Sequence, residues 1–128
     1  MILDTSAIIA ILFREEGAGT LLERLWGATV RAVGAPTLAE SGIVLTARAG
    51  ETALPLLHHF LDAFGVVIVP FDGRHAQEAV ALYNTFGKGH HPAGLNYGDC
   101  MGMATSRLAG LPLLCVGDDF RLTDAELA

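Results

Sequence analysis

The sequence is poor in charge, and above all in positive charge. Of its 128 residues, 17% are Asp, Glu, Lys or Arg, against roughly 25% in an average soluble domain. Eight Lys and Arg residues are scattered along the chain, and fourteen Asp and Glu residues give a net charge of −6. This balance excludes a basic tract that binds nucleic acid by charge alone.

Cysteine and long apolar runs are also scarce. Cys100 and Cys115 form no C-x-x-C motif, and their apolar surroundings predict two buried free thiols. The N terminus lacks a basic segment, and the apolar run from Ala7 to Phe13 spans seven residues, whereas about 18 are needed to cross a bilayer. We therefore expect a cytoplasmic protein without membrane association.

Apolar residues, by contrast, make up 52% of the chain, which excludes disorder and predicts one domain over residues 1–128. Short apolar runs alternate with segments of helical period, a pattern typical of a parallel sheet flanked by helices. The predicted strands are Met1 to Leu3, Val30 to Val33, Val66 to Pro70 and Leu113 to Val116, and the predicted helices are 6–13, 20–26, 37–49, 53–64, 73–86 and 97–109. The fold class is α/β, with a central, mostly parallel sheet of four to five strands.

Carboxylates recur where a predicted strand ends or a helix begins. They are Asp4 after the first strand, Glu40 and Asp99 early in two helices, and Asp118 with Asp119 after the last strand. Each also has a structural interpretation. Thr37 and Glu40 fit a capping box, Asp99 suits a helix N terminus, and the other three fit caps or turns. Capping alone does not require these acids to meet at one sheet edge, where ligands of parallel sheets gather.

Four carboxylates that converge on one site would repel one another strongly without a counter-ion. Two unit charges about 5 Å apart repel by about 3 kcal/mol at an effective dielectric constant near 20. Mg²⁺ or Mn²⁺, with oxygen ligands, suits such a site better than Zn²⁺. A carboxylate-bound ion that activates water favours phosphodiester hydrolysis. The sequence contains no P-loop, nucleophile elbow or H-E-x-x-H motif that would indicate another chemistry.

Several segments together resemble PIN-domain proteins, and VapC-type toxins in particular. They are residues 1–7 (MILDTSA), Glu40 in an apolar helix, 96–100 (NYGDC) and 112–120 (PLLCVGDDF). The resemblance implies a three-layer PIN-like fold and an Mg²⁺- or Mn²⁺-dependent endoribonuclease. Such an enzyme cuts single-stranded or loop RNA and leaves 5′-phosphate and 3′-hydroxyl ends. It also implies the toxin half of a type II toxin–antitoxin pair, with a VapB-like antitoxin that blocks the site, a toxin homodimer and higher toxin–antitoxin assemblies.

By position, the resemblance assigns catalysis and metal binding to an acidic quartet: Asp4, Glu40, Asp99 and Asp118. Asp119 is the alternative fourth ligand, because the two acids are adjacent here whereas many family members separate them. Ser6 or Thr5 would support the site by hydrogen bonding. Two other functions remain open: a catalytically silent PIN-like interaction module, and a metal-dependent phosphatase of small molecules.

Lys88 is the one basic residue that we assign to the RNA from the sequence. It lies in the glycine-rich loop before Asp99, where it could meet a phosphate, although an ordinary exposed lysine is the alternative. Loss of that contact would weaken RNA binding and flatten its salt dependence.

Overall fold

The computed structural model describes residues 1–128 as four strands that alternate with six α-helices. The strands are β1 (Ile2–Leu3), β2 (Ala32–Gly34), β3 (Val67–Val69) and β4 (Leu113–Leu114). The helices are α1 (Thr5–Leu12), α2 (Ala18–Gly27), α3 (Ala35–Ala49), α4 (Leu54–Phe64), α5 (Gly73–Phe86) and α6 (Tyr97–Ala109). Two short 3₁₀ helices, Glu51–Ala53 and Asp119–Leu122, complete the set.

The strands form one parallel sheet in the order β3-β2-β1-β4, so β1 is central and pairs on both sides. Ile2 lies opposite Ala32 on β2 and opposite Leu113 on β4. Near the C terminus, Leu127 adds a single parallel bridge to Leu113. The predicted sheet of four to five mostly parallel strands is confirmed, with four full strands.

Alternation of side chains along the strands creates two cores, one on each face of the sheet. Leu3, Val33 and Leu114 face a core that is completed by residues of α1, α2, α3 and α4. Their strand neighbours Ile2, Ala32 and Leu113 face a second core, built with residues of α5 and α6. Helices therefore cover both faces, and the three-layer architecture is confirmed.

The structure differs from the sequence prediction mainly at the element boundaries. Val30 lies outside β2 and is 47% exposed, and its carbonyl oxygen accepts a hydrogen bond from the Met1 amino group at 2.5 Å. Cys100 is buried as expected, but Cys115 is only partly buried, because it follows β4 at the sheet edge where the chain leaves the core. None of the helices combines the length and the apolar character that a bilayer crossing requires.

Candidate active site

Asp4 is the buried member of the acidic group. It follows β1 directly and caps α1: its Oδ2 accepts hydrogen bonds from the Ser6 amide at 2.9 Å and the Ser6 hydroxyl at 2.5 Å. The Ser6 hydroxyl in turn accepts a hydrogen bond from the Val116 amide at 3.0 Å, beyond β4. Ser6 therefore connects the carboxylate to the segment that follows β4, and its supporting role in the site stays a prediction.

Glu40 reaches the same place from α3. Gly34, without a side-chain cap, precedes this helix, so the capping box predicted for Thr37 and Glu40 is wrong. The Glu40 carboxylate instead accepts a hydrogen bond from the Thr5 hydroxyl at 2.6 Å, at the start of α1. A tertiary contact, and not a cap, fixes the direction of Glu40.

Asp99 lies in the first turn of α6 and does act as a cap. Its Oδ2 accepts from the Asn96 amide at 2.9 Å, and the Asn96 side chain accepts from the Asp99 amide at 2.9 Å. One cavity of about 250 Å³ is nevertheless lined by Asp4, Glu40 and Asp99 together. For Asp4 and Asp99, the capping and the convergent interpretations both hold.

Two glycines of α6 make room for the other carboxylates. A Cβ atom on Gly98 would lie 2.6 Å from Oε1 and 2.8 Å from Oε2 of Glu40. One on Gly102 would lie 3.2 Å from Oδ1 of Asp4 and 3.8 Å from the Thr37 hydroxyl oxygen. Because glycine has no Cβ atom, these two positions on one face of α6 leave room for the carboxylates to pack against the helix.

The electrostatics of the cavity favour protonation or a cation. Burial raises the pKa of Asp4, and the charge of Glu40 adds to this effect, whereas the Ser6 hydrogen bonds oppose it. The pKa of Asp99 is raised to about 6, chiefly by burial and also by the charges of Asp4, Asp119 and Glu40, while the Asn96 hydrogen bond opposes the shift. The carboxylates thus act on one another across the cavity.

The two adjacent acids after β4 face different surroundings. The Asp118 side chain is 84% exposed, and its Oδ1 lies 3.3 Å from Nε of Arg121. Asp119 is the one whose charge acts on Asp99. Neither lines the carboxylate cavity, so the assignment of either residue as a fourth ligand stays a prediction.

The residues fit a hard divalent cation by their chemistry. No three Asp, Glu, His or Cys side chains are close enough to share one ion as they stand, and each carboxylate of the cavity accepts a hydrogen bond from Ser6, Thr5 or Asn96. Mg²⁺, however, keeps several waters and needs only one or two carboxylates. The buried Thr37 hydroxyl beside Asp4 has no hydrogen-bond partner, so the site also contains an unpaired polar group.

Arg48 was missed by the sequence reasoning. It lines the carboxylate cavity together with Glu40 and Val44, which precede it on the same face of α3 at four-residue intervals. That spacing was the available signal. Lys88 is exposed and lines none of the larger cavities, including the one that holds the carboxylates, so its assignment to RNA also stays a prediction.

Comparison of the sequence with known proteins gives matches over nearly its whole length. The PIN domain matches residues 1–126. Ribonuclease VapC36 of Mycobacterium tuberculosis is 42% identical over 127 residues, which cover 98% of this chain and 91% of that protein.

Solved structures agree in fold. The toxin VapC20 of Mycobacterium tuberculosis, which cleaves the sarcin–ricin loop, superimposes with a TM-score of 0.79 at 18% identity and covers 99% of this chain and 97% of its own. VapBC2 of Rickettsia felis, bound to a promoter DNA fragment, gives a TM-score of 0.77 at 18% identity, with 99% and 96% coverage. At these identities the likeness establishes the fold alone.

The raised pKa of Asp99 predicts a pH-dependent stability of the metal-free protein. Between the ordinary value of 3.8 and about 6, the folded state binds more protons than the unfolded state, so the free energy of unfolding falls as pH rises through this window. We expect Asp99→Asn to be more stable than the wild type at pH 7 and to equal it near pH 4. Thermal unfolding in chelator from pH 4 to 7 measures this, and parallel curves for the two proteins would contradict it.

The space beside Gly98 predicts a substitution that harms the site without harming the fold. Alanine at position 98 would displace the Glu40 carboxylate, while alanine favours a helix over glycine by about 1 kcal/mol. We expect Gly98→Ala to unfold at no lower temperature and to bind Mn²⁺ at least about tenfold more weakly, one unit of log affinity or about 1.4 kcal/mol, by titration calorimetry. Gly19→Ala on α2, where nothing lies within 4 Å, is the control. Equal Mn²⁺ affinity in both variants would refute the role of Gly98.

Proposed function

The chain belongs to the PIN-domain family and, within it, to the VapC ribonucleases, and from this membership we propose that its carboxylate cavity hydrolyses RNA with a bound divalent cation. VapC ribonucleases are toxins of toxin–antitoxin systems. The proposal concerns the bound metal, the residues that hold it, the kind of RNA that is cut and inhibition by an antitoxin.

One observation carries the proposal. Asp4, Glu40 and Asp99 come from three different parts of the chain and line one cavity, although Asp4 and Asp99 each also accept a local hydrogen bond at the start of a helix. Folding brings the three carboxylates together at an electrostatic cost, which the raised pKa values of Asp4 and Asp99 reflect. Such an arrangement is typical of a functional site, where unfavourable electrostatics serve binding or catalysis.

Asp4, Glu40 and Asp99 would hold Mg²⁺, or Mn²⁺ in its place, with Asp118 or Asp119 as a fourth acidic group. When bound, the ion supplies Lewis-acid polarisation and neutralises charge on the phosphate. The Ser6 hydroxyl keeps Asp4 in place, and the Thr5 hydroxyl does the same for Glu40. Hydrolysis adds water to phosphorus and breaks the bond to the 3′ oxygen, so the products carry a 5′-phosphate and a 3′-hydroxyl.

We propose partners as well. The structural neighbours include toxin–antitoxin complexes, which supports a VapB-like antitoxin that covers this site. The substrate is single-stranded or loop RNA, because the carboxylate cavity is open to solvent and an unpaired strand can enter it. A homodimer and higher toxin–antitoxin assemblies follow from the family.

Metal-dependent cleavage is the first test of this function. We expect the purified protein to cut a panel of structured RNAs with Mg²⁺, to lose this activity in chelator, and to leave small phosphoesters intact. Asp99→Asn should abolish cleavage and keep the fold, because the amide oxygen still accepts the Asn96 hydrogen bond. Cleavage that persists in the Asp99→Asn variant, or turnover of small phosphoesters alone, would contradict the proposal.

A matched pair of variants identifies the fourth acidic group. Asp118 pairs with Arg121, whereas the charge of Asp119 acts on Asp99, so the present side-chain positions favour Asp119. We expect Asp119→Asn to lower kcat by about tenfold or more, a loss of about 1.4 kcal/mol or more of transition-state stabilisation, and Asp118→Asn to change it little. The reverse ranking, measured under saturating Mg²⁺, would assign the role to Asp118.

A further inference from the structure

A second cavity adjoins the carboxylates and is lined by two arginines. It measures about 330 Å³, and its walls include Arg24 of α2, Arg121 of the last 3₁₀ helix, and the segment Cys115–Gly117 that leaves β4. Val116, within that segment, donates its amide hydrogen bond to the Ser6 hydroxyl that holds Asp4. The wall of the arginine cavity is thus two hydrogen bonds away from the Asp4 carboxylate.

The pKa of the Cys115 thiol responds to charged groups of both cavities. Burial and the charges of Asp4 and Asp99 together raise its pKa to about 11, while the charges of Arg121 and Arg24 oppose the shift. Charged groups of both cavities therefore act on Cys115.

Three of the eight Lys and Arg side chains each have two or more partners. Arg31 donates to three main-chain carbonyl groups, and Arg107 pairs with both Glu78 and Asp124. Arg48 pairs with Glu15 at 2.9 Å and lies over the Phe13 ring. Arg14, Arg74 and Lys88 make no side-chain hydrogen bond or ion pair, and Arg24 and Arg121 make one each. Among these, Arg24 and Arg121 share a cavity.

Both arginines keep donors available in that cavity. Arg24 uses Nη1 for a hydrogen bond of 2.6 Å to the Ala128 carbonyl oxygen, and a guanidinium has five N–H donors. Arg121 has only the 3.3 Å contact with the exposed Asp118 carboxylate, and exposed pairs of this kind are weak. Glu16 is the one Asp or Glu side chain that lines the cavity, and Ala128, whose main-chain oxygen accepts from Arg24, lines it as well.

We propose that this arginine cavity binds a phosphate of the substrate strand next to the one that is cleaved. The inference rests on the proposed ribonuclease function and adds a binding subsite to it. A strand that enters a cluster of carboxylates is repelled by them, and Arg24 and Arg121 compensate on the side of the site that β4 forms. The subsite places the strand across Ser6, with its reacting phosphate at Asp4.

Salt-dependent RNA binding tests the subsite. Both proteins to be compared carry Asp99→Asn, and one of them also carries Arg24→Ala and Arg121→Ala. The affinity of each for a single-stranded RNA is measured with Mg²⁺ over a range of salt concentrations. Each lost phosphate contact lowers the slope of log affinity against log salt by about 0.7. Because the subsite holds one phosphate, we expect a slope lower by about 0.7 and an affinity at least about fivefold lower at low salt. In the active protein, the same variant should raise KM and leave kcat nearly unchanged.

Two controls separate a local subsite from general charge. The Arg14→Ala/Arg74→Ala variant removes the same charge outside the cavity and should change the slope much less. Glu16→Gln removes the opposing charge and should strengthen RNA binding. Equal slopes in the two arginine double variants would overturn the proposal, as would weaker binding by Glu16→Gln.

Failure of the subsite is distinguishable from failure of the function. If the wild type cuts RNA with Mg²⁺ and the Arg24→Ala/Arg121→Ala variant keeps its KM and slope, the subsite alone is wrong. If the wild type neither binds nor cuts RNA, both are wrong. Retained RNA affinity with lost affinity for a purified cognate antitoxin would assign the arginines to the antitoxin and overturn the subsite. Circular dichroism of each variant verifies the fold.

Discussion

Asp4 places a carboxyl group, 5% exposed, at the end of the central strand, and the neighbouring structure is arranged around this buried acid. Its Oδ2 accepts both Ser6 hydrogen bonds, and Ser6 also receives the Val116 amide, so one side chain joins β1, α1 and the exit of β4. On the opposite side, Gly102 gives the carboxylate space against α6. A buried charge needs compensation, and in this protein hydrogen bonds supply part of it and a cation would supply the rest.

The distribution of charge over the chain follows from this constraint. The net charge of −6 gives little attraction to a polyanion, and in the proposed function the carboxylates are concentrated where a phosphate would bind. A bound divalent ion would change the sign of the potential locally, and the arginines of the adjoining cavity would act on the flanking part of the strand. Binding would thus depend on a small number of placed charges, whereas a basic surface attracts nucleic acid over its whole area.

Much of the fold was predictable because its signals are local. The predicted strand Val66 to Pro70 is rich in β-branched residues and contains β3, and the predicted helices 53–64 and 97–109 end just before Gly65 and Gly110, which cap α4 and α6 in the left-handed conformation. Asp4 and Asp99 were also found, since a carboxylate after a strand or at a helix start is visible in the sequence.

Contacts between distant segments were not predictable. Glu40 was consistent with a capping box, and only its contact with Thr5, on another helix, shows its direction. Gly98 gave no sign of its role, since the atoms that it admits belong to α3. Arg24 and Arg121 are separated by most of the chain, and no spacing rule connects them. Local sequence patterns identify candidate residues for a site, whereas tertiary packing determines which of their atoms come into contact.

The position of β1 has a consequence for how the protein is made. Ile2 pairs with Leu113, so the first strand leaves the ribosome early and must wait for the last one to be synthesised. At about 5–20 residues per second this takes several seconds. Until then β1 lacks one of its two neighbours, and the Val116 amide is absent from Ser6. The hydrogen bonds that hold Asp4 are therefore complete only after the last strand has been made, although Asp4 itself is among the first residues synthesised.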